Sequence, residues 1–208
     1  MTRRGLAEAP AGTILAAYAA GEGMASPTVE SCFDVAHWFI DRALNDGEYL
    51  QPKKLHRLMF LAQAYYAVAY NNRPLMPATF VVDGEGPIEP NVFRASAVRR
   101  PELEPQALPS DVTHFLDSVW RRFGQHSADY LNKMVGGHPP VRDALAEGSR
   151  TIIPLAAMVG FYGKKASAAR NAMGAPPVKD VLRPKVLKSA SGKPVSVHKW
   201  MPGKRQDV

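Results

Sequence analysis

Three carboxylates that could act as general acid and base, Asp83, Glu85 and Glu89, lie in one short segment rich in glycine and proline. Such chemistry needs carboxyl groups in different environments, or a carboxylate beside a histidine such as His126 or His138. The sequence assigns no hydrophobic pocket and no orienting partner to these residues, and turn carboxylates are ordinarily solvated. A hydrolase is therefore the third and weakest interpretation.

Metal-dependent and nucleophilic chemistry find little support in the residue spacing. The histidines form no HxxxH or HExxH pair, and a single cysteine, Cys32, excludes multi-cysteine zinc and iron–sulfur sites. Cys32 and His37 lie on one predicted helix and would point roughly 140° away from each other. We predict no catalytic residue, no metal and no cofactor, and the lone cysteine favours a reducing, cytoplasmic location.

A basic group, Lys53, Lys54 and Arg57, begins the second predicted helix. Such residues are typical either of a solvated face whose aliphatic stems cover the core or of a surface for an acidic partner. With the carboxylate-rich turn and two residues of the tail they form the candidate partner-binding set. Its members are Lys53, Lys54, Arg57, Glu85, Pro87, Glu89, Lys199 and Trp200.

The net charge of +7 is unevenly distributed along the 208 residues. Residues 164–208 carry net +9 and the preceding residues net −2. The basic segment interleaves Lys and Arg with apolar residues and contains several prolines, which predicts an extended, flexible tail. Such a tail can bind phosphates with base stacking, so nucleic-acid binding is the alternative function. The apolar runs are too short to span a membrane, and no membrane partner is predicted.

Helical periodicity dominates the chain between the termini. Ser31 caps a first predicted helix, and Pro52 starts a second helix that is apolar nearly all round from Leu58 onward. A helix of this kind is typical of the buried centre of a domain. Residues 79–87 predict a short strand and a turn, and hence a hairpin. Further helices are predicted at 90–98, 110–124, 127–134, 141–147 and 153–161.

These elements predict a mostly α fold, with a compact helical domain around the central buried helix and one inserted β-hairpin. We expect residues 1–30 to form a flexible N-terminal arm and residues 31–163 the folded domain. Residues 164–208 are expected to form the basic, proline-containing flexible tail.

Five short stretches of the folded region form an ordered series of motifs. They are 33–40 (FDVAHWFI), 55–64 (LHRLMFLAQA), 86–93 (GPIEPNVF), 123–131 (FGQHSADYL) and 138–144 (HPPVRDA). In this order and at these separations they resemble the Panacea antitoxin-domain family, and the stretch 55–64 is the most specific match. The chain departs from the family at three places. Glu85 stands where an aromatic residue usually precedes Gly-Pro, His56 and Arg57 replace Gln-Lys, and Val141 stands at a usual Trp position.

The resemblance implies a non-enzymatic antitoxin that binds and neutralises a cognate protein toxin. A SocA-like member of the family would also be a proteolytic adaptor, which delivers the toxin to a ClpXP-type protease through its ClpX-type unfoldase. An adaptor of this kind needs one surface for each of two partners and no catalytic groups of its own. The folded domain and the basic tail are candidates for those two surfaces.

Overall fold

The computed structural model describes residues 26–98, 106–164 and 173–182, and the backbone of residues 187–188 and 194–195. Its helices are α1 (Cys32–Asn45), α2 (Pro52–Ala69), α3 (Pro90–Val98), α4 (Ser110–Val119), α5 (Ala128–Gly136), α6 (Pro139–Glu147), α7 (Leu155–Tyr162) and α8 (Val178–Leu182), with a π-helical turn at Trp120–Gly124. Its strands are β1 (Val81–Asp83), β2 (Gly86–Ile88), β3 (Leu187–Lys188) and β4 (Pro194–Val195). The prediction of a mostly helical fold with a β-hairpin is confirmed. The short antiparallel pair of β3 with β4 was not predicted.

Helix α2 is buried along almost its whole length, from Lys54 to Ala67. It contacts α1, α4, α5, α7 and β2, so the other elements are arranged around it. The buried Gln63 amide ties the chain that follows α2 back onto the helix. Its Oε1 accepts hydrogen bonds from the N–H groups of Leu75 and Met76 at 3.1 Å, and its Nε2 donates to the Met76 carbonyl at 3.1 Å. Both polar atoms of the buried Gln63 amide therefore have hydrogen-bond partners.

Serine side chains cap two of the helices, and the cap at Ser31 was predicted. The Ser31 hydroxyl accepts from the Phe33 N–H at 3.1 Å, and the Ser127 hydroxyl accepts from the Tyr130 N–H at 3.2 Å. Helix α6 differs from the prediction because it begins at Pro139 rather than at residue 141. Proline fits the first helical turn, where a backbone N–H would have no intrahelical partner. The break between the two predicted helices therefore ends at His138, and Pro139 and Pro140 belong to the second helix.

The hairpin of β1 and β2 has a third extended segment beside it. Residues 150–153 pair with the free edge of β1. The Arg150 N–H donates to the Val82 carbonyl at 2.7 Å, and the Ile153 N–H donates to the Phe80 carbonyl at 2.8 Å. This pairing fixes the hairpin against the start of α7, and the sequence analysis did not predict it.

Residues 173–182 return to the core beyond the predicted domain boundary at residue 163. His138 Nε2 donates to the Met173 carbonyl at 3.1 Å, and the Tyr65 hydroxyl donates to the Pro176 carbonyl at 2.9 Å. The Val181 side chain is fully buried. The folded part therefore includes this segment, which the sequence analysis assigned to the flexible tail.

Candidate functional site

The Asp83 carboxylate closes the turn between β1 and β2. Asp83 Oδ1 accepts from the N–H groups of Glu85 at 2.9 Å and Gly86 at 3.1 Å. Gly86 has a φ of +129°, a backbone conformation that residues with a side chain rarely adopt. The residue types of this turn thus determine its local shape.

The Arg57 side chain holds the same turn from inside the molecule. Its Nη2 donates to the Glu85 carbonyl at 2.6 Å, its Nη1 to the Pro87 carbonyl at 2.7 Å, and its Nε to Asn132 Oδ1 at 2.6 Å. These bonds join α2, the hairpin and α5. A Cβ atom on Gly86 would lie 3.0 Å from Nη2, so the turn packs directly on the guanidinium. We call this arrangement of Arg57, the two carbonyls and Asn132 the arginine latch.

The latch places a positive charge in the interior with uncharged acceptors. Arg57 is 1% exposed, and burial lowers the pKa of its guanidinium while the carboxylates of Asp83 and Glu85 act in the opposite direction. Within the described part of the chain, no carboxylate oxygen forms a hydrogen bond with this guanidinium. Burying such a charge costs stability unless hydrogen bonds compensate it. Two hairpin carbonyls and the Asn132 side chain on α5 supply these hydrogen bonds, and the Asp83 and Glu85 carboxylates add electrostatic stabilisation.

An open groove of about 440 Å³ lies beside the latch, between the turn and helices α5 and α6. It is lined by Gly84, Glu85, Gly86, Asp129, Asn132, Lys133, Gly136, Val141 and Leu145, and we call it the hairpin groove. At its rim Lys53 Nζ forms an exposed ion pair with Glu85 Oε2 at 2.6 Å. The Leu145 side chain in the lining leaves 43% of its surface exposed. The groove therefore offers charges of both signs and an apolar contact.

The predicted basic face at the start of α2 is not formed. Lys54 is 3% exposed; its ammonium forms an ion pair with Glu48 and lies 5.6 Å from the centre of the Trp120 ring. Arg57 is buried in the latch, and Lys53 is the exposed member of the three. The prediction that all three lie at the surface was wrong, because tertiary contacts enclose two of them: Lys54 lies between Glu48 and Trp120, and Arg57 donates to the hairpin carbonyls.

Two of the three candidate hairpin residues also lie inside the fold. The Glu89 carboxylate accepts from the Val92 N–H at 2.7 Å and from Asn91 Nδ2 at 3.1 Å, so it caps α3. Pro87 is buried, and Glu85 alone of these candidates is exposed. Pro87 and Glu89 therefore support the turn from within, contrary to their prediction as partner contacts.

Cys32 and His56 lie near this cap and are both held in their neutral forms. Burial, together with the Glu89 carboxylate, raises the pKa of Cys32 to about 12, which suppresses its thiolate. Burial, together with the Arg57 charge, lowers the pKa of His56 to about 4. His56 Nδ1 accepts from the Glu89 N–H at 3.3 Å, which requires that this nitrogen carry no proton. The Cys32 thiol is thus a poor nucleophile here.

The two histidines considered for acid–base chemistry have structural partners of their own. Burial lowers the pKa of His138 to about 4, and its Nδ1 lies 2.7 Å from the Tyr162 hydroxyl. The Met173 carbonyl can only accept, so Nε2 carries the proton and Nδ1 accepts from the tyrosine. His126 stacks on Tyr130 with ring centres 4.3 Å apart. Among the described residues, the hydrogen bonds of the hairpin carboxylates involve neither histidine.

Two candidate residues, Lys199 and Trp200, lie outside the described residues. Within the described ranges, no three His, Cys, Asp or Glu side chains are placed together to hold a metal ion. No helix in that part of the chain combines the length and apolar character needed to cross a bilayer.

The residues of α5 and α6 that line the hairpin groove were not predicted as site residues. The i, i+4 spacing of Val141 and Leu145 could have indicated an apolar strip on α6. No local signal pairs Asn132 with Arg57, since 75 positions separate them in the chain.

Comparison with known proteins gives no relative: no protein-family model, no curated protein and no solved structure matches this chain. The similarity of residues 31–163 to the Panacea antitoxin-domain family thus stays a prediction from the quoted motifs.

Proposed function

We propose that this chain is a cytoplasmic, protein-binding antitoxin that neutralises a cognate protein toxin by direct contact in the hairpin groove. The proposal rests on the motif resemblance to the Panacea antitoxin-domain family and on the geometry of the hairpin groove. The arginine latch is the observation that carries the proposal. It fixes the backbone of the turn that presents Glu85 beside the exposed Leu145.

A surface that is already fixed binds more tightly because less conformational entropy is lost on association. The latch supplies this rigidity at the cost of a buried charge. Leu145 provides an apolar contact, and the charges of Lys53, Glu85 and Lys133 orient an incoming partner.

We also propose that the bound toxin is delivered to a ClpXP-type protease. A tethered substrate meets its protease at a raised effective concentration, and this needs a second surface on the same chain. The basic residues that follow Leu182 are our candidate for contact with the ClpX-type unfoldase. Loss of toxin turnover with retained toxin binding, after deletion of residues 183–208, is the expected result.

The first test identifies the partner. The tagged chain is expressed in its native host with the protease inactivated, purified with nuclease treatment, and analysed by mass spectrometry. We expect one stoichiometric small protein that arrests growth when expressed alone and does not do so beside this chain. If no protein is recovered, and nucleic acid co-purifies when the nuclease is omitted and is released steeply as salt is added, the nucleic-acid alternative is favoured instead.

A matched pair of variants tests the site. Leu145→Glu places a charge in the hairpin groove, whereas Leu44→Glu places the same charge on α1, where Leu44 is 56% exposed and does not line the groove. We expect Leu145→Glu to weaken toxin binding at least about tenfold and Leu44→Glu to leave it unchanged. Equal binding by the two variants would remove the groove as the docking site, while growth rescue would still report on the antitoxin function.

A further inference from the structure

A second open groove, of about 400 Å³, lies between α6 and α7. Its lining includes the apolar residues Pro140, Ile152, Pro154, Ala157 and Phe161. Helix α6 contributes to both grooves, with Val141 and Leu145 in the hairpin groove and a different set in this one. We call the second groove the edge groove.

The edge groove contains an open strand edge. Ile152 lies opposite β1, and the hydrogen bonds to β1 are made by its two neighbours, Thr151 and Ile153. Ile152 and Val81 thus form a non-hydrogen-bonded pair of an antiparallel ladder. In such a pair the N–H and C=O of each residue point away from the opposite strand. Within the described residues neither group of Ile152 forms a backbone hydrogen bond, and its side chain is 50% exposed. The N–H and C=O of Ile152 are therefore the backbone groups that this edge presents to a further strand.

Helix α6 places two carboxylates along the same groove. Asp143 and Glu147 are one helical turn apart and both belong to the lining, which also contains Lys164. Asp143 forms an exposed ion pair with its neighbour Arg142 at 2.8 Å. Helix α6 thus contributes two carboxylates to the groove, of which Asp143 is shared with Arg142, and α7 contributes the apolar residues Ala157 and Phe161.

We propose that the edge groove binds an extended peptide segment of a partner protein in which apolar and basic residues alternate. The segment adds as a strand to the Ile152 edge, which supplies backbone hydrogen bonds. Its apolar side chains rest on Pro154 and Phe161, and a Lys or Arg side chain lies beside Asp143 and Glu147. This site is separate from the hairpin groove, so the inference does not depend on the antitoxin function.

The experiment uses three defined peptides and the full-length chain labelled with ¹⁵N. The probe is a blocked heptapeptide of alternating valine and lysine; glutamate replaces lysine in a second peptide, and the central residue is proline in a third. We expect the lysine peptide to give saturable amide shifts confined to residues 139–164. The glutamate peptide should bind at least about tenfold more weakly, because its charges face Asp143 and Glu147. The proline peptide should also bind more weakly, because it lacks one N–H for the strand pairing.

Two arginine substitutions on α7 provide the matched control. Ala157→Arg fills the groove, whereas Ala156→Arg adds the same side chain at another exposed position of the helix that does not line it. We expect Ala157→Arg to weaken binding of the lysine peptide at least about tenfold and Ala156→Arg to have no effect. Three results would each overturn the proposal: no saturable shift with the lysine peptide, equal binding of the glutamate peptide, or equal binding by the two variants. Self-association that Ala157→Arg abolishes, without peptide binding, would assign the edge to a second copy of the chain.

Discussion

Two buried histidines should make the protein less stable as the pH falls from about 6.5 to about 4. Burial lowers the pKa of both His56 and His138 to about 4, whereas a histidine in an unfolded chain has a pKa of about 6.5. Between these values the unfolded state binds protons that the folded state does not. Unfolding is therefore favoured progressively as the pH is lowered through this window.

The size of the effect follows from the two pKa values. Each histidine contributes a loss of about 1.4 kcal/mol per pH unit inside the window, which amounts to about 2 kcal/mol at pH 5 relative to pH 7. Together His56 and His138 contribute about 4 kcal/mol, since they lie in different contacts of the core. Below about pH 4 the two histidines cause no further loss.

Urea denaturation at pH 7, 6 and 5 measures this free energy of unfolding. The variants His56→Asn and His138→Gln keep a polar group in place but remove the titration, so each should reduce the pH 7 to pH 5 difference by about 2 kcal/mol. Carboxylates also titrate in this range, but their contribution is common to all variants and cancels in the comparison. His114→Gln, at an exposed position of α4, is the control and should keep the wild-type difference. If His56→Asn and His138→Gln both kept it too, the histidines would not be held neutral by burial and the reasoning would fail.

Two further predictions concern the latch and the core, and urea denaturation measures both. Arg57→Met leaves the hairpin carbonyls without their donors and should lower the free energy of unfolding by about 3 kcal/mol. Lys53→Ala removes only an exposed ion pair and should change this free energy by less than about 1 kcal/mol. Similar losses for the two variants would contradict the role given to the latch. Gly124→Ala would place a Cβ atom 2.6 Å from the Trp120 ring and should cost about 1–3 kcal/mol. In Gly160→Ala on α7 the added Cβ atom meets nothing within 4 Å, so this variant should raise the free energy of unfolding by roughly 0.5–1 kcal/mol. If both glycine variants raised it, or both lowered it, the steric argument would be refuted.

The local elements were predictable because their determinants are local. The apolar residues around α2, the Ser31 and Ser127 caps and the Asp83 turn each act over a few positions of the chain. Periodicity, capping and turn chemistry therefore determine the order of the helices and the place of the hairpin without reference to tertiary contacts.

Only the tertiary structure determines which of the charged side chains are buried. Lys53, Lys54 and Arg57 look alike in the sequence, yet one is exposed, one is bound between Glu48 and Trp120, and one is enclosed by the hairpin. A charged side chain can be buried only where acceptors from other segments surround it, and those acceptors are supplied by the packing of the whole chain. The open edge at Ile152 and the return of residues 173–182 to the core have the same origin, because the hydrogen bonds that place them join segments far apart in the sequence.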